Sequence, residues 1–138
     1  MTRIRLLSAV FILAILCGVL RADWRDAYVA NSPITTHNAV VIAAAGVSTA
    51  TAVDVSRSVY QSVWYTIAGS GLSVVLDILT SPDGTNYTLP SGGGATVTIT
   101  ASGAGWFDVQ VPYARNMQPR FTNNGASSIT VTAKLGFE

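Results

Sequence analysis

The body of this 138-residue chain has no cysteine. The single one, Cys17, lies inside an apolar N-terminal run. An internal disulfide and a thiolate metal site are therefore excluded from everything past Ala22. Histidine occurs once, at position 37, too few for a clustered zinc site. Charge is scarce: 11% of residues are charged, about half the usual share. After Ala22 there are five basic residues (Arg25, Arg57, Arg115, Arg120, Lys134) and seven acidic ones (Asp23, Asp26, Asp54, Asp77, Asp83, Asp108, Glu138), and five minus seven leaves −2. No basic stripe exists to follow a phosphate backbone, so nucleic acid is not an expected partner. A Gly-x-Ser-x-Gly elbow is missing, as is any helical period after Pro33. No acid, base and nucleophile converge in the sequence, and the chain reads as a non-enzyme.

What is present begins with an export-type segment. Thr2 to Arg5 is short and positive, and Leu6 to Leu20 is almost wholly apolar. Fifteen residues are short for a membrane span, which needs about 20. Residues 1–22 are expected to be a signal peptide cut after Ala22, a retained membrane anchor, or a hydrophobic assembly helix. Membrane contact is expected only through residues 6–20, and only if they are kept. Leu16 before Cys17 argues against a lipoprotein signal, and no glutamate just inside the run supports a pilin leader. Residues 23–34 form a polar arm with two aromatics, Trp24 and Tyr28.

From Thr35 to Glu138 the period is that of strands. The stretch Leu72 to Tyr87 sets the pattern: Val74, Leu76 and Ile78 share one face, and Ser81-Pro82-Asp83-Gly84 stops the strand in a tight turn. Asn38 to Ala45 is a continuous apolar run, expected to be buried on both faces or at an interface. Val63, Tyr65 and Ile67 alternate against Tyr60, Ser62, Trp64 and Thr66, and Gly69-Ser70-Gly71 then predicts a hairpin over Val59–Thr80. Val97 and Ile99, then Phe107, Val109 and Val111, then Ile129, Val131, Ala133 and Leu135 face inward on later strands. Ser91-Gly92-Gly93-Gly94 reads as a flexible loop, Asn123-Asn124-Gly125 as a hairpin turn, and Pro119 as the mark of an edge strand or a bulge. Eight or nine short strands result. The expected fold is all-β, a single antiparallel β-sandwich of immunoglobulin-like or jelly-roll type, preceded by the N-terminal hydrophobic helix.

Few residues are candidates for chemistry. His37, in a loop-like stretch, reads as a surface residue. Asp83 and Asn86 supply oxygen ligands of the kind calcium takes, but Asp-Gly is first of all turn chemistry, and no other cofactor is indicated. Asp54, Asp77 and Asp108 sit mid-strand, and nothing in their spacing makes two of them meet. Trp64, Trp106, Tyr60 and Tyr113 could build an aromatic surface for a sugar ring or a protein partner. Trp64 and Trp106 fall opposite the aliphatic residues of their strands, where polar groups normally stand.

Val53-Asp54-Val55, the strand with Trp64, the Ser81–Tyr87 turn and the stretch Arg120-Phe121-Thr122-Asn123-Asn124-Gly125 together resemble the small β-sandwich proteins of tailed-phage and prophage structural gene regions. That resemblance covers Val53 to Glu138 and implies a virion-surface protein without catalytic residues. The export-type N-terminus departs from it and favours an exported protein, at the cell surface, in the periplasm or outside, over a virion one. Two functions are open: a structural or surface protein that packs against copies of itself or a larger assembly, and an exported module that binds a glycan.

Overall fold

The computed structural model describes residues 31–56, 58, 60–110 and 114–137. The signal or anchor segment, most of the arm, and Tyr113 lie outside the described residues. Among the described residues there are nine strands and no helix: β1 Asn31–Ile42, β2 Val47–Thr49, β3 Val53–Asp54, β4 Gln61–Ala68, β5 Val74–Ser81, β6 Thr96–Ile99, β7 Gly103–Val109, β8 Asn116–Asn123 and β9 Ile129–Phe137.

All pairings are antiparallel, in two sheets: β1-β9-β4-β7, and β2-β8-β5-β6 with β3 also on β8. With β2 and β3 counted as one interrupted strand, the first strand pairs with the last, the second with the seventh, the third with the sixth, and the fourth with the fifth. That nesting is one long hairpin rolled on itself, the jelly-roll wrap. It decides between the two sandwich types left open by the sequence.

The alternation seen in the sequence puts the core between the sheets. Val63 and Ile67 of β4 and Ile129, Val131 and Leu135 of β9 face Val74, Leu76 and Ile78 of β5 and Met117 and Phe121 of β8, all fully buried. Each such side chain contributes about 1.5–3 kcal/mol by leaving water.

Four expectations are corrected. The Val59–Thr80 segment is not a hairpin: β4 and β5 belong to opposite sheets, and the chain crosses the sandwich at Gly69–Leu72. Asn123–Gly125 likewise joins β8 to β9 across the sandwich. The Asn123 side chain is buried there, its Nδ2 donating to the carbonyls of Ile42 (3.2 Å), Ala43 (2.9 Å) and Ser127 (2.9 Å). A hairpin turn keeps both strands in one sheet; this asparagine ties three passing carbonyls together and so makes a corner. The apolar run 38–45 is not buried on both faces. β1 is an edge strand, Val41 is 67% exposed, and Ala43 to Ala45 form an exposed turn. β1 also starts at Asn31, so residues 31–34 of the arm are strand.

Pro119 sits in an interior strand, and the bulge it signals lies in the neighbour. The N–H of Ile78, its partner on β5, points to Ala95 on the far side (2.7 Å), so the imide nitrogen of Pro119 faces β2 and β3. There the ladder breaks between Thr49 and Val53. Ala50 N–H donates to the Pro119 carbonyl (2.9 Å), and Gln118 Nε2 donates to the Ala50 carbonyl (2.8 Å). The missing donor thus falls where no strand needs it.

Candidate functional site

The outer face of the four-stranded sheet carries the feature that stands out. In β4, Trp64 pairs with Trp106 of β7 on one side and with Lys134 of β9 on the other. Three side chains therefore stand in a row across adjacent strands, with about 4.8 Å between strands. Trp64 is 61% and Trp106 65% exposed. Trp64 Nε1 donates to Ser62 Oγ (3.1 Å), which holds the indole along its own strand. No ring-to-ring contact links the two indoles among the described residues; the one aromatic contact there is His37 on Phe121. The two indoles stand on neighbouring strands, each more than half exposed.

The surroundings are small and polar. Thr66, Ala104, Gly105 and Thr132 border a shallow hollow of about 170 Å³ beside Trp64 and Lys134. Gly136, on β9 next to Ser62, leaves the indole edge open: a Cβ there would lie 3.7 Å from Trp64 Nε1. Gly105 serves the other face of the sheet. Its Cβ would fall 2.5 Å from the Tyr65 hydroxyl, so Tyr65 lies flat across a residue that has no side chain. Asp108, opposite Ser62, and Lys134 put one charge of each sign on this face.

Of the four aromatics expected at a binding surface, the structure brings Trp64 and Trp106 together. Tyr60 is exposed just before β4, four residues from Trp64, and Tyr113 lies outside the described residues. Sequence reasoning misses Lys134 as a neighbour. Its even position in β9 places it on the outer face, but nothing in the sequence says that β9 lies against β4.

Asp83 organises its own turn. Its Oδ1 accepts from Ser81 Oγ (2.7 Å), Thr85 N–H (2.9 Å) and Asn86 N–H (3.0 Å), and its Oδ2 accepts from Asn86 Nδ2 (2.8 Å). The backbone N–H of Asn86, that of Thr85, then the Ser81 hydroxyl and the Asn86 amide hold its carboxyl far below the usual carboxylate range. Asn86 turns its amide NH₂ to Asp83, so the pair is committed to the loop. Among the described residues no three His, Cys, Asp or Glu side chains gather as a metal set.

The other carboxylates are dispersed. Asp77, nearly buried, accepts from Arg120 Nη2 (2.7 Å) and Thr96 Oγ1 (2.9 Å), its cross-strand neighbours on the outer face of the second sheet. Asp54 caps its own turn through the Ser56 N–H (2.9 Å). His37 is not a surface residue. It is 2% exposed, packed edge-on against Phe121 at 4.9 Å between ring centres. The inward turn of a polar residue comes from irregular pairing of β1 with β9 on either side of it.

No family model matches the sequence, and no curated protein matches it. Among solved structures the chain is similar to the PBSX exported protein XepA, with 14% identity and TM-score 0.56, over 78% of this chain and 38% of that one. It is also similar to a CBM4 structure, with 11% identity and TM-score 0.53, over 80% and 81%. A third likeness is to the SPBc2 prophage-derived protein YomS, with 15% identity and TM-score 0.48, over 78% and 92%. The chain thus spans well under half of the XepA chain it resembles. Prophage-derived β-proteins are among its structural neighbours at low identity, and what the likeness shows is the fold, an antiparallel β-sandwich.

Proposed function

We propose that the protein is a non-enzymatic, exported surface protein that packs against copies of itself through the outer face of its four-stranded sheet. The observation that carries this is the side-by-side pair Trp64 and Trp106, each more than half exposed on a face whose other side chains are mostly small, with Asp108 and Lys134 as its charges. Two exposed indoles leave roughly 300 Å² of apolar surface in water, in the range where patches on monomers tend to be functional. Two such faces together would remove about 600 Å², worth about 15 kcal/mol gross at about 25 cal/mol per Å². Association costs about 4–15 kcal/mol, so the contact is weak and concentration-dependent, suited to an assembly held by many copies. The near-neutral body adds little repulsion. Export is supported by the apolar run 6–20 and by the fold likeness to a protein described as exported; the virion surface is the alternative location.

Light scattering across a concentration series tests the proposal. The wild type is expected to grow in mass with concentration, and Trp64→Ala/Trp106→Ala to remain monomeric with its stability changed by less than about 0.5 kcal/mol, as surface substitutions usually are. A wild type that is strictly monomeric at high concentration, or a variant that associates equally, contradicts it.

The exposed indole pair favours a second reading, a glycan-binding module, in which indoles stack on sugar rings and Ser62, Asp108 and Lys134 supply hydrogen bonds. The fold likeness to a CBM4 structure supports it. Calorimetry with neutral oligosaccharides, with Trp106→Ala as control, separates the two: heat that vanishes in the variant favours the glycan, and none at all removes it.

A further inference from the structure

Among the described residues His37 is the most buried titratable side chain, and the binding face does not explain its role. It lies in β1, an edge strand, with shifts in the β1–β9 register on both sides, between Thr35 and His37 and between His37 and Val40. At these shifts side chains replace part of the ladder. Thr36 Oγ1 donates to the Ala133 carbonyl (3.2 Å), and the Ala39 N–H donates to Thr132 Oγ1 (3.2 Å). Ala39 itself takes a left-handed φ of 50°, a conformation that costs a non-glycine residue energy. Beyond the second shift, Val40, Val41 and Ile42 pair in unbroken register with Val131, Thr130 and Ile129. The strand therefore has two unequal halves. The C-terminal half is laddered without interruption, and the N-terminal half pairs with β9 at Asn31, Ile34, Thr35 and His37 across register shifts, with the His37 ring inserted against Phe121.

That ring is suited to the core only while neutral. Nε2 is buried with no hydrogen-bond partner among the described residues, and Nδ1 lies 3.4 Å from Thr36 Oγ1. Among the described residues no carboxylate is bonded to the ring to accept from the second N–H of an imidazolium. On β9 the charged residue is Lys134, on the outer face; β2 has none. On β8, Arg120 is bound to Asp77 outside the second sheet. Asp54, beside β1 at the open edge of the sandwich, is exposed and engaged with Ser56.

We propose that His37 is an acid-sensitive latch for the N-terminal half of β1: the neutral ring holds residues 31–37 to the sandwich, and its protonation frees them while 40–42 stays paired. Burial pushes the imidazole below its ordinary value, and the backbone of Ser48 offsets part of this. A group whose folded value is depressed stabilises the closed strand fully above its free value, near 6.5, and loses that contribution as pH falls below it. Release would leave the β9 edge unpaired from Ala133 outward.

With one histidine in the chain, a single imidazole resonance reports on the latch. The test is to follow that resonance and the amide exchange of β1, corrected for intrinsic rates, between about pH 8 and about pH 5. The proposal expects a titration below the ordinary histidine value. It also expects exchange at 34–37 to rise by about tenfold per pH unit within the window, with 40–42 unmoved. In His37→Phe, residues 34–37 should stay protected throughout. An ordinary titration with no loss of protection overturns the latch. So does the same acid-dependent opening in His37→Phe. If that variant does not fold, the wild-type titration and exchange decide alone.

Discussion

Asn123 shows what one buried polar side chain does here. Its amide feeds three carbonyls from two separate segments, and its Oδ1 takes the Gly125 N–H (3.0 Å). Asn123→Ala would leave those carbonyls without a donor inside the corner, and each such group costs about 1–3 kcal/mol. A loss of about 2–4 kcal/mol by urea denaturation is expected; a loss below about 0.5 kcal/mol would show that water replaces the amide. Asp83 is the exposed counterpart. Because its folded carboxyl lies far below the ordinary value, its contribution is present above the free value and fades only as pH falls below it. Its carboxyl carbon shift in NMR should stay level from neutral pH to about pH 3, while an ordinary aspartate titrates near 3.9. A midpoint near 3.9 would mean that the loop hydrogen bonds do not persist in solution. Neither role is written in the residue alone. Asn-Asn-Gly and Asp-Gly both read as turns from sequence, and both are turns; that one is buried beneath a sheet crossing depends on residues eighty positions away.

At the scale of elements, the turns were legible and their destinations were not. A Gly-Ser-Gly or Asn-Asn-Gly stretch between alternating strands fits a hairpin, yet here each carries the chain from one sheet to the other. In this wrap only β5 and β6 are consecutive and paired, and a long loop joins them. That loop is pinned at both ends. Thr80 and Thr88 exchange hydrogen bonds (2.9 and 3.0 Å), and Gln110 N–H donates to the Gly94 carbonyl (2.9 Å). The three consecutive glycines Gly92, Gly93 and Gly94 are therefore not equivalent, although the sequence reads them as one flexible run. All have positive φ, but a Cβ at Gly94 would also fall 2.6 Å from the Gln110 carbonyl oxygen, while Gly92 and Gly93 have open space. Alanine at 92 or 93 should cost about 1–2 kcal/mol from φ alone, and Gly94→Ala clearly more, in the same denaturation assay. Equal costs at all three positions would contradict the pinned loop.

For the whole molecule, period-two alternation locates the core almost residue by residue, because a strand buried on one face must write its burial into every second position. Trp64 and Trp106 break that rule on their outer sides, and so mark a surface worth inspecting. What alternation cannot carry is which strands neighbour one another. The sequence holds Trp64, Trp106 and Lys134 far apart, and pairing of β4 with both β7 and β9 makes them a row. His37 escapes for the opposite reason: bulges in β1 shift its parity, so its burial is invisible to a simple period. If this row is where the protein meets its neighbours, the indole N–H spectrum of the protein should report it as the sample is concentrated. The signals of Trp64 and Trp106 are expected to shift together, ahead of the backbone amides of the second sheet. Growth in mass with both indoles unmoved would place the contact on another face and contradict self-packing through the tryptophans.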